Sequence, residues 1–369
     1  MKGKAKKFFE NRRKKYYINF ELNNPKLYFL ARLIFLILIF PISSYNYITI
    51  YTKEMEYDTS YKIYYNSKFP SSVFFCGNEI IERTSNYDGS LNYYYKSYNS
   101  IYIRRLEDCS SYYITLYFDN TITNANYMFS GCDIITRIDF SYFDMTSITS
   151  MYHMFYSCNS LIEINNFNPL NSLNMSYSFY DCTSLTSITY ASSFYNNRVE
   201  RMESMFSHCT SLSFINLENF NLANIESMAY MFYGCTNLNS ISFNQNSYTS
   251  KLKSMYQMFC DCQKLTSLNI DNFRTSRVTN MYQMFYNCIK LTSLNLNNFR
   301  TSLVTTMYQM FYNCQSLNYL DIYYFNTEQI TNMNSLFYNC KLLITLDLHS
   351  FNTINVYKCH NNGKYVSKL

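Results

Sequence analysis

Apolar residues return on a fixed schedule through the second half of the chain. In the copy that starts at Met281, residues Met281, Met284, Phe285 and Cys288 fall at i, i+3, i+4 and i+7. That spacing predicts one face of a helix of about two turns. Thr279 and Asn280 stand just before it, where side-chain oxygens can cap free backbone donors. After Cys288 the period shortens to two: Leu294 and Leu296 alternate with Ser293, Asn295 and Asn297, which predicts a short half-buried strand. Phe299 follows, and the polar stretch Arg300-Thr301-Ser302 turns the chain towards Val304. The expected unit is strand, turn, short helix.

The unit repeats. Cysteines at 132, 158, 182, 209, 235, 262, 288, 314 and 340 are 24 to 27 residues apart. A period in this range marks a solenoid, whose units are too small to fold alone and bury their apolar faces against one another. The expectation is an α/β repeat array, a right-handed solenoid of nine strand-turn-short helix units over residues 122–353. Residues 354–369 form a C-terminal tail. Residues 45–121 carry no clear repeat but alternate loosely between apolar and polar positions. This predicts a β-rich N-terminal cap whose last strand, near Ile114–Phe118, leads into the first unit.

The pattern from Met202 to Thr353 follows MxxMFxxCxxLxxLxLxxFxTSxVTx closely; from Ile122 to Asn197 the match is weaker, with Ala125 and Ser178 at methionine positions. These residues resemble the BspA-like leucine-rich-repeat surface proteins. The resemblance implies a leucine-rich-repeat solenoid and a role at cell surfaces, in adhesion or in binding host and matrix components.

Charge alters the picture only at the N-terminus. The formal net charge is +6, yet residues 1–26 hold nine Lys or Arg against Glu10 and Glu21. The remainder carries no basic stripe dense enough for nucleic acid, so no nucleic-acid partner is expected. The basic run precedes the apolar segment 27–42, LYFLARLIFLILIFPI. Residues 27–44 are expected to be a signal anchor in the bilayer, with 1–26 cytosolic and the repeats extracellular in a single-pass membrane protein. Cleavage near Ser43-Ser44, giving a secreted protein, stays open as an alternative, as does a buried helix.

The chemistry points away from catalysis. The nine repeat cysteines lie on the apolar face beside Met and Phe, which predicts a buried thiol ladder rather than metal ligands or nucleophiles. Cys76–Cys109 is the most plausible bridge in the cap. Cys260-Asp261-Cys262 and Cys359-His360 lack zinc spacing. The histidines His153 and His208 read as solvated. No metal, cofactor or enzymatic activity is expected. Stacking would align strand positions of successive units in columns that are small and polar in the middle of the array. They become richer at the C-terminal end, where Tyr319, Asp321, Tyr323, Asp347 and His349 share one face. Those five are the candidate partner-binding residues, set against ordinary surface variation. The expected function is non-enzymatic binding or adhesion at the cell surface to a protein or glycan, the alternative being an intracellular or structural scaffold.

Overall fold

In the turn segment of a unit, alternate backbone N–H groups bond the next unit along, and this feature organises the fold. A computed structural model describes residues 46–55, 60–65, 70–75, 78–82, 93–97, 100–104, 113–192 and 194–357. The chain divides into two units, Met1–Tyr45 and Asn46–Leu369, and all described residues belong to the second.

Among the described residues, seven strands precede the repeats: β1 (Tyr47–Thr52), β2 (Ser60–Tyr65), β3 (Ser72–Phe75), β4 (Asn78–Glu82), β5 (Tyr93–Ser97), β6 (Ser100–Arg104) and β7 (Tyr113–Tyr117). The repeats contribute β8 (Ile135–Asp139), β9 (Glu163–Phe167), β10 (Ser187–Tyr190), β11 (Phe214–Leu217), β12 (Ser240–Phe243), β13 (Ser293–Asn295) and β14 (Tyr319–Asp321). Repeat strands pair in parallel, as units stacked in one direction must. The cap closes the first edge: β1 runs antiparallel between β7 and β8. An exposed edge of unpaired backbone groups is thereby removed.

The segment expected to be helical is not a helix. Count positions within a unit from its column cysteine, so that Met281 is −7 and Phe285 is −3. The N–H groups at −4, −2 and 0 each bond the carbonyl three residues back, as in Met284 to Met281, Tyr286 to Gln283 and Cys288 to Phe285. The alternate groups at −7, −5, −3 and −1 point outwards to the next unit. Met281 donates to Thr306, Gln283 to Tyr308, Phe285 to Met310 and Asn287 to Tyr312, at 2.9–3.3 Å. The result is a ribbon of overlapping turns. Positions −5 and −1 have positive φ in all nine units, for example Gln283 (51°) and Asn287 (57°). Left-handed residues every four positions are incompatible with a right-handed helix. The strand-turn-helix array is therefore corrected to a β-solenoid, in which the sole helical element among the described residues is a 3-10 turn at Leu222–Asn224. The inward side chains keep i, i+3, i+4, i+7 spacing, which is why the sequence pattern reads as helical.

The core consists of columns. The phenylalanines at −3, from Phe129 through Phe337, stack face to face across all nine units, with centroids 5.1–5.8 Å apart and planes within 9°. Tyr64 of the cap sits edge-on against Phe129. Such ring pairs add about 0.5–1.5 kcal/mol each beyond burial. Beside them runs the thiol column. Each Sγ from Cys158 to Cys340 donates to the carbonyl of the −3 phenylalanine one unit back, at 2.9–3.2 Å. Where the acceptor is Phe155 through Phe311, the same carbonyl also takes the N–H of its own unit's cysteine. Both lone pairs are thus used, and a small apolar donor suits the position. A third column ties units through buried threonine. Thr301 accepts from the Asn326 N–H and donates to its carbonyl, both at 2.7 Å, and Thr275 and Thr327 repeat the arrangement.

The expected membrane placement is corrected as well. Among the described residues no helix is long and apolar enough to cross a membrane, so the single-pass assignment and the bilayer as partner are not carried forward. The segment 27–44 on which that expectation rested lies outside the described residues, as do Cys76, Cys109 and Cys359.

Candidate functional site

Two long faces of the solenoid reach solvent with distinctive side chains. On the strand face, β13 and β14 pair in register, Ser293 with Tyr319 and Asn295 with Asp321. Tyr319 is 56% exposed and Tyr323 51%. The Tyr319 hydroxyl lies 3.3 Å from Asp321 Oδ2, and the Tyr323 N–H donates to Asp321 Oδ1 at 3.2 Å. The negative charge of Asp321 raises the Tyr319 hydroxyl above the ordinary phenol range. One unit further on, His349 donates its backbone N–H to Asp347 Oδ1 at 3.0 Å, and its Nδ1 lies 3.0 Å from the same oxygen. These contacts, the backbone bond first, hold Asp347 below the usual carboxylate range. The Tyr323 and His349 rings meet at 4.7 Å. The five candidate residues thus form two local pairs, Tyr319–Asp321 and Asp347–His349, joined through Tyr323. The last unit has no strand at positions 343–348, so a ring contact rather than sheet pairing connects the two halves. Arg300 lies over the Tyr324 ring at 4.4 Å and extends the patch to one cation.

The ribbon face was not anticipated as a site. An unbroken path of ring contacts runs from Tyr127 through Tyr152, Tyr177, Tyr180, His208, Tyr233, Tyr230, Tyr256 and Tyr282 to Tyr308. A second row, Tyr286, Tyr312 and Tyr338, stacks at 4.8–4.9 Å. Two amide ladders run along the same face: Gln257 donates to Gln283 and Gln283 to Gln309, while Asn339 donates to Asn313, Asn313 to Asn287 and Asn287 to Asp261. No Lys or Arg occupies positions −7 to −1 of any unit. The histidines also differ from expectation. His153 is half-buried among Tyr127, Tyr152, Tyr156 and Tyr177, with ring distances of 4.0–4.9 Å, and burial lowers its pKa. His208 lies across Gly234, where an added Cβ would stand 2.8 Å from its Nδ1. The signal for this face is the recurrent MYQMFYN, whose Tyr, Gln and Asn stand between the inward Met, Phe and Cys.

Neither face assembles a reactive centre from these groups. Burial pushes the Cys158, Cys235 and Cys340 thiols up to about 12, so the column holds the protonated, donor form and not the nucleophilic thiolate. No cluster of potential metal ligands occurs among the described residues.

Comparison with known proteins agrees with this picture of a repeat. Residues 112–191, 162–267 and 253–368 match the family described as Mycoplasma protein of unknown function, DUF285. These segments cover most of the chain, and the protein belongs to that family. The match bears out the BspA-like leucine-rich-repeat resemblance drawn from the repeats. Among solved structures, a leucine-rich repeat protein from Eubacterium ventriosum ATCC 27560 is similar at 16% identity, with a TM-score of 0.35 over 60% of this chain. The chain spans 65% of that protein's length. No curated protein matches the chain.

Proposed function

We propose that this is a non-enzymatic binding protein, adhesive in character, whose C-terminal strand face holds a protein partner. The observation that carries the reading is the exposure of Tyr319 and Tyr323 beside carboxylates already oriented by their own hydrogen bonds. Tyrosine offers broad contact area at small entropic cost, and Asp321 and Asp347 select for a polar or basic counterpart. The backbone beneath is fixed by units stacked on both sides of β13 and β14, so the patch is preorganised rather than shaped on binding. An adhesive role, contact with a partner displayed on another surface, is the finer form of this reading.

The test is a pull-down from source material with the full chain, run in parallel with a glycan array. The folded Tyr319→Ser/Tyr323→Ser variant is expected to lose the captured protein at least about tenfold, as truncation of central aromatic anchors does. Undiminished capture by that variant would place the binding surface elsewhere. Capture of glycans alone would replace the protein partner with a carbohydrate.

A further inference from the structure

The four-unit stretch from Met255 to Asn339 on the ribbon face is self-complementary, and we propose that it mediates reversible dimerisation with a second copy of this chain. This inference concerns the ribbon face and does not depend on the strand-face reading.

Three observations point to a copy of the same chain as the occupant. First, the groups presented are Tyr hydroxyls and Gln and Asn amides, each of which both donates and accepts. A face of such groups can pair with itself, whereas a face of like charges cannot. Second, the stretch carries one charge at positions −7 to −1, Asp261, which Asn287 already binds at 2.7 Å. Third, the rings repeat at 4.9–5.0 Å along the array. A second copy supplies the same period by construction, so the contacts between units seven and eight are made twice across the two-fold axis.

The arrangement that follows is an antiparallel, two-fold pairing centred between the seventh and eighth units. Units six and nine then face each other, which sets Asp261 opposite Asn339 of the second copy and keeps the two aspartates apart. Tyr282 faces Tyr308. The rings in each row cover one another's faces, so they offer edges and hydroxyls outwards; this favours hydrogen-bonded protein contact over sugar stacking. Four units and a ribbon width give roughly 400 Å² per copy, within the weak, transient class of interfaces.

The experiment is sedimentation of the full chain over a concentration series, with a charge-exchange pair of variants. Tyr282→Glu/Tyr308→Glu has a precedent within this fold, because Glu203 occupies the same −6 position in the fourth unit. The variant is therefore expected to stay folded, which circular dichroism and the thermal midpoint check. Wild type should show concentration-dependent dimer. The Glu variant should dimerise at least about 100-fold more weakly, because like charges meet across the two-fold axis. An equimolar mixture of the Glu variant with Tyr282→Lys/Tyr308→Lys should regain dimer. A wild type that is monomeric at every concentration overturns the proposal. So does a Glu variant that dimerises undiminished, or a mixture that regains nothing while both variants remain folded.

Discussion

The ribbon side and the strand side of the solenoid are built from the same nine units but differ in continuity. On the ribbon side, parallel bridges at position −8 run without a break from Asn124 to Asn332, and the phenylalanine and thiol columns follow them. On the strand side, the ladder divides into β8–β9–β10, β11–β12 and β13–β14, and the sixth and ninth units contribute no strand. Register is therefore set by the ribbon, whose every unit boundary is tied by alternate N–H groups and a thiol. The strand face is relieved of that duty and can vary, and it is where Arg137, Glu163, Phe214, Tyr319 and Asp321 depart from the small polar residues of the middle units.

The largest effect expected from this comparison is at Phe285. Its ring is stacked on Phe259 and Phe311, so Phe285→Asp removes two ring contacts and buries a carboxylate. A loss of more than about 4 kcal/mol, or failure to fold, is expected in urea denaturation. A strand-face change of similar size should do far less.

Alkali should act through the ribbon side. In the folded protein the thiols of Cys158, Cys235 and Cys340 titrate near 12, against about 9 when unfolded. The folded pKa is the higher one, so this stabilisation is complete below pH 9 and is lost as pH rises from 9 through 12. Each such thiol contributes up to about 1.4 kcal/mol per pH unit in that window. Urea midpoints measured from pH 8 to 11 should fall steeply, and less steeply in a variant with two of the column cysteines changed to alanine.

Gly234→Ala is the next effect. The backbone there has φ +72°, and the new methyl would meet His208. A cost of about 1–3 kcal/mol is expected. The His208→Ser background, which removes the clash but not the positive φ, should recover part of it. The smallest effect is on the strand side: Tyr319→Ser should shift stability by no more than about 0.5 kcal/mol, because the ring is exposed and anchors no column. A larger loss would show that the strands share in setting register.

The period, the thiol column and most of the repeat strand positions were legible in the sequence because they follow from which side chains face inwards. The ribbon was not, because overlapping turns and a helix place inward residues at the same intervals. One clue did separate them. Position −1 is Gly131, Asp181, Gly234, Asp261, Asn287, Asn313 or Asn339 in seven of nine units, residue types that tolerate positive φ and are poor choices within a helix. Position −5 gives no such signal, since Tyr127, Gln257, Gln283 and Gln309 show no preference for that conformation. The strand-face candidates stand out in the sequence because departures from a column are visible in an aligned repeat. The ribbon face does not stand out in this way, because its tyrosines and amides repeat regularly from unit to unit.

The most direct test of the ribbon is amide hydrogen exchange compared between the last two units. In the eighth, Met307, Gln309, Phe311 and Asn313 donate their N–H groups to the ninth. The equivalent groups of Met333, Ser335, Phe337 and Asn339 have no following unit among the described residues. A ribbon shared between units predicts strong protection at the first four and fast exchange at the second four, with Leu336 and Cys340, which bond within their unit, exchanging more slowly than their neighbours. Equal protection at corresponding positions of both units would mean that each unit satisfies its own backbone, as a helix does, and would contradict the account.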